Sequence, residues 1–251
     1  MGLFSWFGEK LQSGCDWVKG KCESVVNFTK EKIQEVKEKT AIAVERIGEK
    51  VERWGTKIKE FVKPKSKKKP YSPEPTDIEA IERAKHTIVE HFPDGIVNTL
   101  ENLNETQRID TFQNFVQDAI VDLNLDKTNL DVQIVPPETE EEMSVYGYFS
   151  RKDNTLFINA EFIVCDNLEL VKEQVFTVYH ELMHARQWAA VCAWASTPQG
   201  DTFGYSVNRI LEYANNYGHY ISPRVDRELY RWQPLERDAF GFESKLKEAN
   251  L

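Results

Sequence analysis

The sequence predicts an α+β fold: a small mixed sheet, a long helix carrying a histidine pair and C-terminal helices, preceded by an extended amphipathic helical segment. Three observations lead there. Between residues 76 and 249 the apolar period changes from helical to alternating and back. Residues 171–191 contain neither Gly nor Pro and hold His180-Glu181-Leu182-Met183-His184 near their centre. A Pro- and Lys-rich stretch, residues 64–75, separates two segments of opposite charge.

Residues 1–63 have the pattern of helix without a core of their own. Leu3, Phe4, Trp6, Phe7 and Leu11 line one face of a short amphipathic helix. Further on, Val25, Val36, Ile47 and Ile58 recur at elevens, a spacing that a nearly straight helix keeps on one side. Lys and Glu fill the intervening positions, and Gly48 and Gly55 count against an unbroken helix. Two readings fit: a solvated helix packed on a helical partner, or a helix lying on a membrane surface, favoured by the aromatic tip. Residues 1–70 carry 17 Lys+Arg against 10 Asp+Glu, whereas residues 71–251 carry 15 against 31. The front end is therefore basic and the remainder strongly acidic. The linker places four prolines and five lysines within residues 63–75, too rich in both to fold alone. No base-reading motif or aromatic platform accompanies those lysines, so nucleic acid is not an expected partner.

The second segment, residues 76–251, opens with a helix over 76–91 capped by Thr76 or Asp77. Phe92-Pro93-Asp94-Gly95 is turn chemistry. A helix over 105–123 presents Phe112, Phe115, Val116, Ala119 and Ile120 on one face. Residues 130–135 alternate as a strand and stop at Pro136-Pro137, before an acidic loop. Residues 145–149 and 155–159 flank a turn at Lys152-Asp153-Asn154 and read as a hairpin. After the histidine helix come a loop over 196–204, a helix over 207–220, a break at Ser222-Pro223 and a last helix over 234–249. Pro234 suits the first turn of that helix. His86 and His91 read as ordinary surface or packing residues.

The chemistry lies in the histidine helix. Positions i and i+4 stack on one helical face, so His180 and His184 project together and can take two of the tetrahedral positions of zinc. Glu181 is turned a quarter circle away, suited to taking a proton from water rather than to ligation. A third ligand must come from elsewhere. A histidine six residues past His184 would mark a metzincin, but position 190 is Ala. The candidates are Glu212, His219, Glu236, Asp238 and Glu243, with Glu236 favoured because Ala239, one turn on, permits close helix packing. His219, Tyr220, Tyr230 and Arg231 are candidates, by type and chain position, for stabilising an oxyanion. The four cysteines, Cys15, Cys22, Cys165 and Cys192, form no metal-binding spacing and are expected to be free thiols.

His180-Glu181-x-x-His184-Ala185-x-Gln187, followed by Tyr230-Arg231-x-Gln233-Pro234-x-Glu236-x-Asp238-Ala239, resembles the gluzincin-type metallopeptidase module. It is similar to the small zincin domains of bacterial polymorphic toxins and injected effectors, and shares a Glu-x-x-Ala signature with phage-repressor-cleaving zincins. The resemblance covers residues 76–251, chiefly 176–190 and 228–243. It implies a zincin-like fold, Zn²⁺ held by His180, His184 and Glu236, Glu181 as general base, and a protein or peptide substrate. It also implies substrate binding by strand addition, for which the 155–159 strand would serve if it lies at the sheet edge. Net charge alone favours basic or neutral substrate segments. Two other classes remain: a partner-binding protein whose metal is structural, and a membrane-associating protein with an auxiliary zincin-like domain. With no signal peptide or apolar span in the sequence, the expected location is the cytoplasm of the producing cell, or export by a specialised secretion system.

Overall fold

The computed structural model describes residues 69–136, 145–197 and 202–249. The amphipathic segment 1–63, the start of the linker and most of the acidic loop lie outside the described residues.

Helix α1 (Pro75–His91) starts with proline in its first turn. Glu74 takes the N-cap position and Asp77 completes a capping box with it from the third helical residue, whereas Thr76 bonds elsewhere. The Asp77 carboxylate accepts the Glu74 backbone N–H at 3.0 Å, and Thr76 Oγ1 donates to the Phe203 carbonyl at 2.9 Å. Gly95, at φ 84°, makes the turn into a short helix, α2 (Ile96–Glu101). Helix α3 (Glu105–Asp122) opens with a reciprocal cap, in which Asn104 and Gln107 each accept the other's backbone N–H at 3.0 Å. Its apolar face buries Phe112, Phe115, Val116 and Ala119 completely against α1 and the helix described below. Each such aromatic contributes on the order of 1.5–3 kcal/mol of burial.

The sheet has three strands, β1 (Asp131–Val135), β2 (Gly147–Ser150) and β3 (Thr155–Asn159), in the order β1-β3-β2. β3 runs parallel to β1 and antiparallel to β2. The 155–159 strand is thus central and cannot receive an added strand. The edges are β1 and β2. The burial pattern agrees, since Thr155, Leu156, Ile158 and Asn159 are all buried whereas β1 alternates between exposed and half-buried. Gly147 crosses so close to β3 that a Cβ would stand 2.5 Å from the Phe157 carbonyl oxygen.

A single turn, α4 (Glu161–Val164), leads into the 29-residue helix α5 (Leu168–Ser196), which runs through the core. Helices α6 (Val207–Tyr217), α7 (Arg227–Trp232) and α8 (Pro234–Lys247) complete the described chain. α8 packs along α5, with Ala239 fully buried between them and the Phe242 ring tilted against Tyr179 at 6.1 Å. Among the described residues no helix is long and apolar enough to cross a membrane. Cys165 and Cys192 are free thiols.

Residues 69–75, linker by composition, lie against the domain. Arg209 donates to the Ser72 carbonyl at 2.8 Å, Glu74 accepts from Ser206 N and Oγ, and the Tyr71 ring fills the space where a side chain at Gly241 would stand. The packed unit therefore includes residues before 76.

Candidate metal centre

Helical geometry alone brings the first two side chains together. His180 and His184 lie one turn apart on α5, their rings 5.0 Å apart and nearly perpendicular. Ligand atoms of His180, Glu181 and His184 all fall within 4.8 Å of one another, a group that can hold a metal ion.

Tertiary packing adds the carboxylate of Glu236 from the first turn of α8. Its Oε2 stands 3.5 Å from His180 Nε2 and its Oε1 stands 3.4 Å from His184 Nε2. Bonds of about 2.0–2.1 Å at tetrahedral angles would separate ligand atoms by about 3.4 Å, so these spacings fit one shared metal ion. Glu236 is buried. Its Oε1 accepts the Tyr220 hydroxyl at 2.7 Å, while its Oε2 makes no hydrogen bond.

The far sides of both imidazoles decide which nitrogens face Glu236. Gln187 donates its amide to the Leu235 carbonyl at 3.0 Å, which turns Gln187 Oε1 toward His184 Nδ1, also at 3.0 Å. An oxygen there requires His184 Nδ1 to carry the proton and leaves Nε2 as a lone pair. His180 Nδ1 likewise meets the Glu243 carboxylate at 2.9 Å, and Glu243 is held by Lys247 at 2.7 Å. With neutral imidazoles, two Nε2 lone pairs and a buried carboxylate therefore converge on one point. This is the donor set of a cation site, and a carboxylate or amide behind each ligating histidine is its usual support.

The electrostatics point the same way. Burial disfavours charge on His180, but Glu236, Glu243 and Glu181 overcome it and hold the imidazole up to about 10. Burial also opposes ionisation of Glu236, yet His184 and His180 keep its carboxyl far below the usual range. A field that favours positive charge on the imidazoles also favours a divalent cation between them. Glu181 differs: burial raises its carboxyl, only partly offset by His184 and His180. Its Oε2 accepts the Phe149 N–H at 3.0 Å, from the edge strand β2.

The site opens into a cleft of about 370 Å³ whose walls include Phe149, Arg151, Tyr217, Tyr220 and Tyr230 beside Glu181, His184 and Glu236. Burial and the Glu236 charge raise the Tyr230 phenol well above its ordinary range, so it keeps its proton at neutral pH.

Other sequence candidates lie elsewhere. His219 is exposed, bonds the Asn215 carbonyl at 2.9 Å and does not line the cleft, because α6 ends at Tyr217 and turns it outward. It is withdrawn as a site residue. Glu212 pairs with Arg237 at 3.3 Å and Lys69 at 3.4 Å, away from the histidines. Asp238 is buried among Arg209, Arg237 and Tyr213. Arg231 stacks on Phe240 at 4.7 Å rather than entering the cleft.

The supporting roles of Gln187 and Glu243 went unread in the sequence, although their spacings carried a signal. Gln187 follows His184 by three residues, and Glu243 follows Glu236 by seven, two turns along the same face. The Phe149 N–H had no signal, since any residue there supplies one. Comparison with protein-family models, curated proteins and solved structures found no match for this chain.

Proposed function

We propose that the chain is a zinc-dependent metallopeptidase of gluzincin type with a zincin-like domain, hydrolysing peptide bonds in protein or peptide substrates. The observation that carries this reading is the convergence of His180 Nε2, His184 Nε2 and Glu236 on one point, with Glu181 beside them in an open cleft. A purely structural zinc would be closed by a fourth protein ligand, whereas here the described neighbours of the triad are a general base and the cleft.

His180, His184 and Glu236 would hold the metal, and zinc bound there supplies Lewis acidity, lowering the pKa of water and polarising a carbonyl. The protein's own groups do the rest. Glu181, fixed at Oε2 by Phe149 N–H and raised by burial, takes the proton from the attacking water and delivers it to the leaving amine. Tyr220 and Tyr230 both line the cleft beside Glu236, and Tyr230, with its proton held by burial, is the phenol assigned to donate to the developing oxyanion. The substrate backbone runs beside β2. Phe149 N–H points away from β3, and period-two alternation turns the Gly147 backbone groups the same way.

The test is hydrolysis of a peptide library by zinc-loaded protein, with fragments sequenced, beside Glu181→Gln. The variant should keep its zinc and lose about 10²–10⁴-fold in kcat/KM, the usual contribution of a general base. Substantial activity in zinc-loaded Glu181→Gln would overturn the assignment.

A further inference from the structure

We infer that Arg151 is a specificity residue that binds a carboxylate of the substrate, either an acidic side chain or a chain terminus, beside the candidate metal centre. The choice of substrate as ligand rests on the peptidase reading; the carboxylate site itself rests on geometry.

Arg151 follows β2 directly and lines the same cleft as Glu181, His184 and Glu236. Two rings hold its guanidinium. The central carbon lies 4.8 Å from the Tyr217 ring and 5.6 Å from the Trp188 ring, and these rings meet edge to face at 5.2 Å. Both rings are tied to the histidine helix. Trp188 lies one turn beyond His184 on α5, and the Tyr217 hydroxyl donates to the His184 carbonyl at 3.3 Å. Both rings lie on one side of the guanidinium and touch it by cation–π contact, which uses up none of its N–H donors, and that free fork matches a carboxylate.

Among the described residues no acidic partner occupies the fork. Arg186, Arg209 and Arg237 each form an ion pair, and Arg83 and Arg108 donate to backbone carbonyls, whereas neither kind of partner is found for Arg151 among the described residues. In a segment with 31 Asp+Glu against 15 Lys+Arg, an arginine left without an acid while lining a cleft is an unfilled recognition element. Its cleft neighbours Glu181 and Glu236 are both engaged, with Phe149 N–H and Tyr220 respectively.

Distance sets the subsite. One helical turn along α5 from His184 is about 5–6 Å, and two residues along β2 from Phe149 are about 6–7 Å. Both routes put the guanidinium one or two substrate residues from the bond held at His184. Net negative charge of the domain argues for basic substrates at long range. A direct bidentate contact outweighs it locally, because exposed charges beyond about 8–10 Å are screened at physiological salt.

The experiment uses the zinc-loaded full chain and peptides cleaved by it, with Glu, Gln or Lys at each of the two positions on either side of the scissile bond. Each peptide is made with a free and an amidated C-terminus. At one position Glu should exceed Gln by about tenfold or more in kcat/KM, the scale of a charge-assisted hydrogen bond. Arg151→Gln should abolish that ratio, and Arg151→Glu should turn the preference toward Lys. A preference seen only between free and amidated termini assigns the carboxylate to the chain end. A merely structural arginine would lower all peptides alike and leave the ratios intact. Equal rates for Glu and Gln and for free and amidated peptides, or ratios unmoved in both variants, overturn the inference. Should no peptide be cleaved, fluorescence anisotropy of labelled Glu and Gln peptides on the same proteins replaces the rate. Binding that depends on charge and on Arg151 then keeps this site while the peptidase reading falls, and charge-independent binding removes the site.

Discussion

Helices α5 and α8 meet in polar chemistry twice, and the two meetings are built on opposite plans. At one, His180 and His184 of α5 face Glu236 of α8, and with neutral imidazoles all the facing atoms are acceptors. At the other, Arg186 of α5 pairs with Asp77 at 3.5 Å, while Asp238 of α8 is enclosed by Arg209, Arg237 and the Tyr213 hydroxyl. Asp77 and Asp238 are both fully buried, yet each has opposite charge against it. Each acid of the ionic cluster has a guanidinium against it, although Arg186 Nε makes no hydrogen bond, and the cluster binds α1, the 69–75 stretch and α6 onto the two long helices. In the histidine cluster, among the described residues, no arginine or lysine pairs with Glu236, whose buried Oε2 makes no hydrogen bond. Burial of charge alone therefore does not mark a site; what marks one is acceptors that converge without a donor.

Removing a carboxylate from each cluster should separate them most sharply. Glu236→Ala should lose zinc on dialysis and all metal-dependent activity, while Glu212→Ala keeps its metal, as read by zinc content of the two proteins. The reverse pattern would transfer the third ligand to α6. Asp238→Ala should behave differently. It removes the buried acid shared by two largely buried guanidinium groups, leaving Arg209 only Glu74 and Arg237 only Glu212, and is expected to cost about 3 kcal/mol of stability in urea unfolding. Its folded fraction should still bind zinc stoichiometrically. Loss of zinc without loss of stability would show the clusters to be one unit.

A smaller effect sharpens the comparison within the histidine cluster. Glu243→Ala removes the acceptor behind His180 and leaves all three ligand side chains in place. Zinc affinity, measured by competition with a chelator, should fall about 10–100-fold. An unchanged affinity would show that Glu243 serves only its bridge to Lys247.

Much of this could be read from single segments. The 171–191 helix, the alternation of 130–135 and the 152–154 turn all appear where local pattern places them. Three short helices, α2, α4 and α7, were missed because four to six residues carry too little periodicity to register. His219 was a fair candidate by residue type and failed because a residue just past a helix end takes its direction from the following turn. Alternation leaves open whether the 155–159 strand lies at the edge, since it says which face a residue occupies and nothing about how many neighbours its strand has; the strand is central.

What the sequence by itself determined is the chemistry that one helix can assemble: two imidazoles one turn apart, and a glutamate a quarter turn round from the first of them. Backbone hydrogen bonding within a helix sets those relations whatever the rest of the chain does. Only the tertiary structure decided that Glu236 rather than Glu212 meets the imidazoles, that β2 rather than β3 borders the cleft, and that Arg151 lies against both Trp188 and Tyr217. Those depend on packing between segments tens of residues apart, where side-chain volume such as that of Ala239 and Gly241 sets the approach of one element to another and no local period records it.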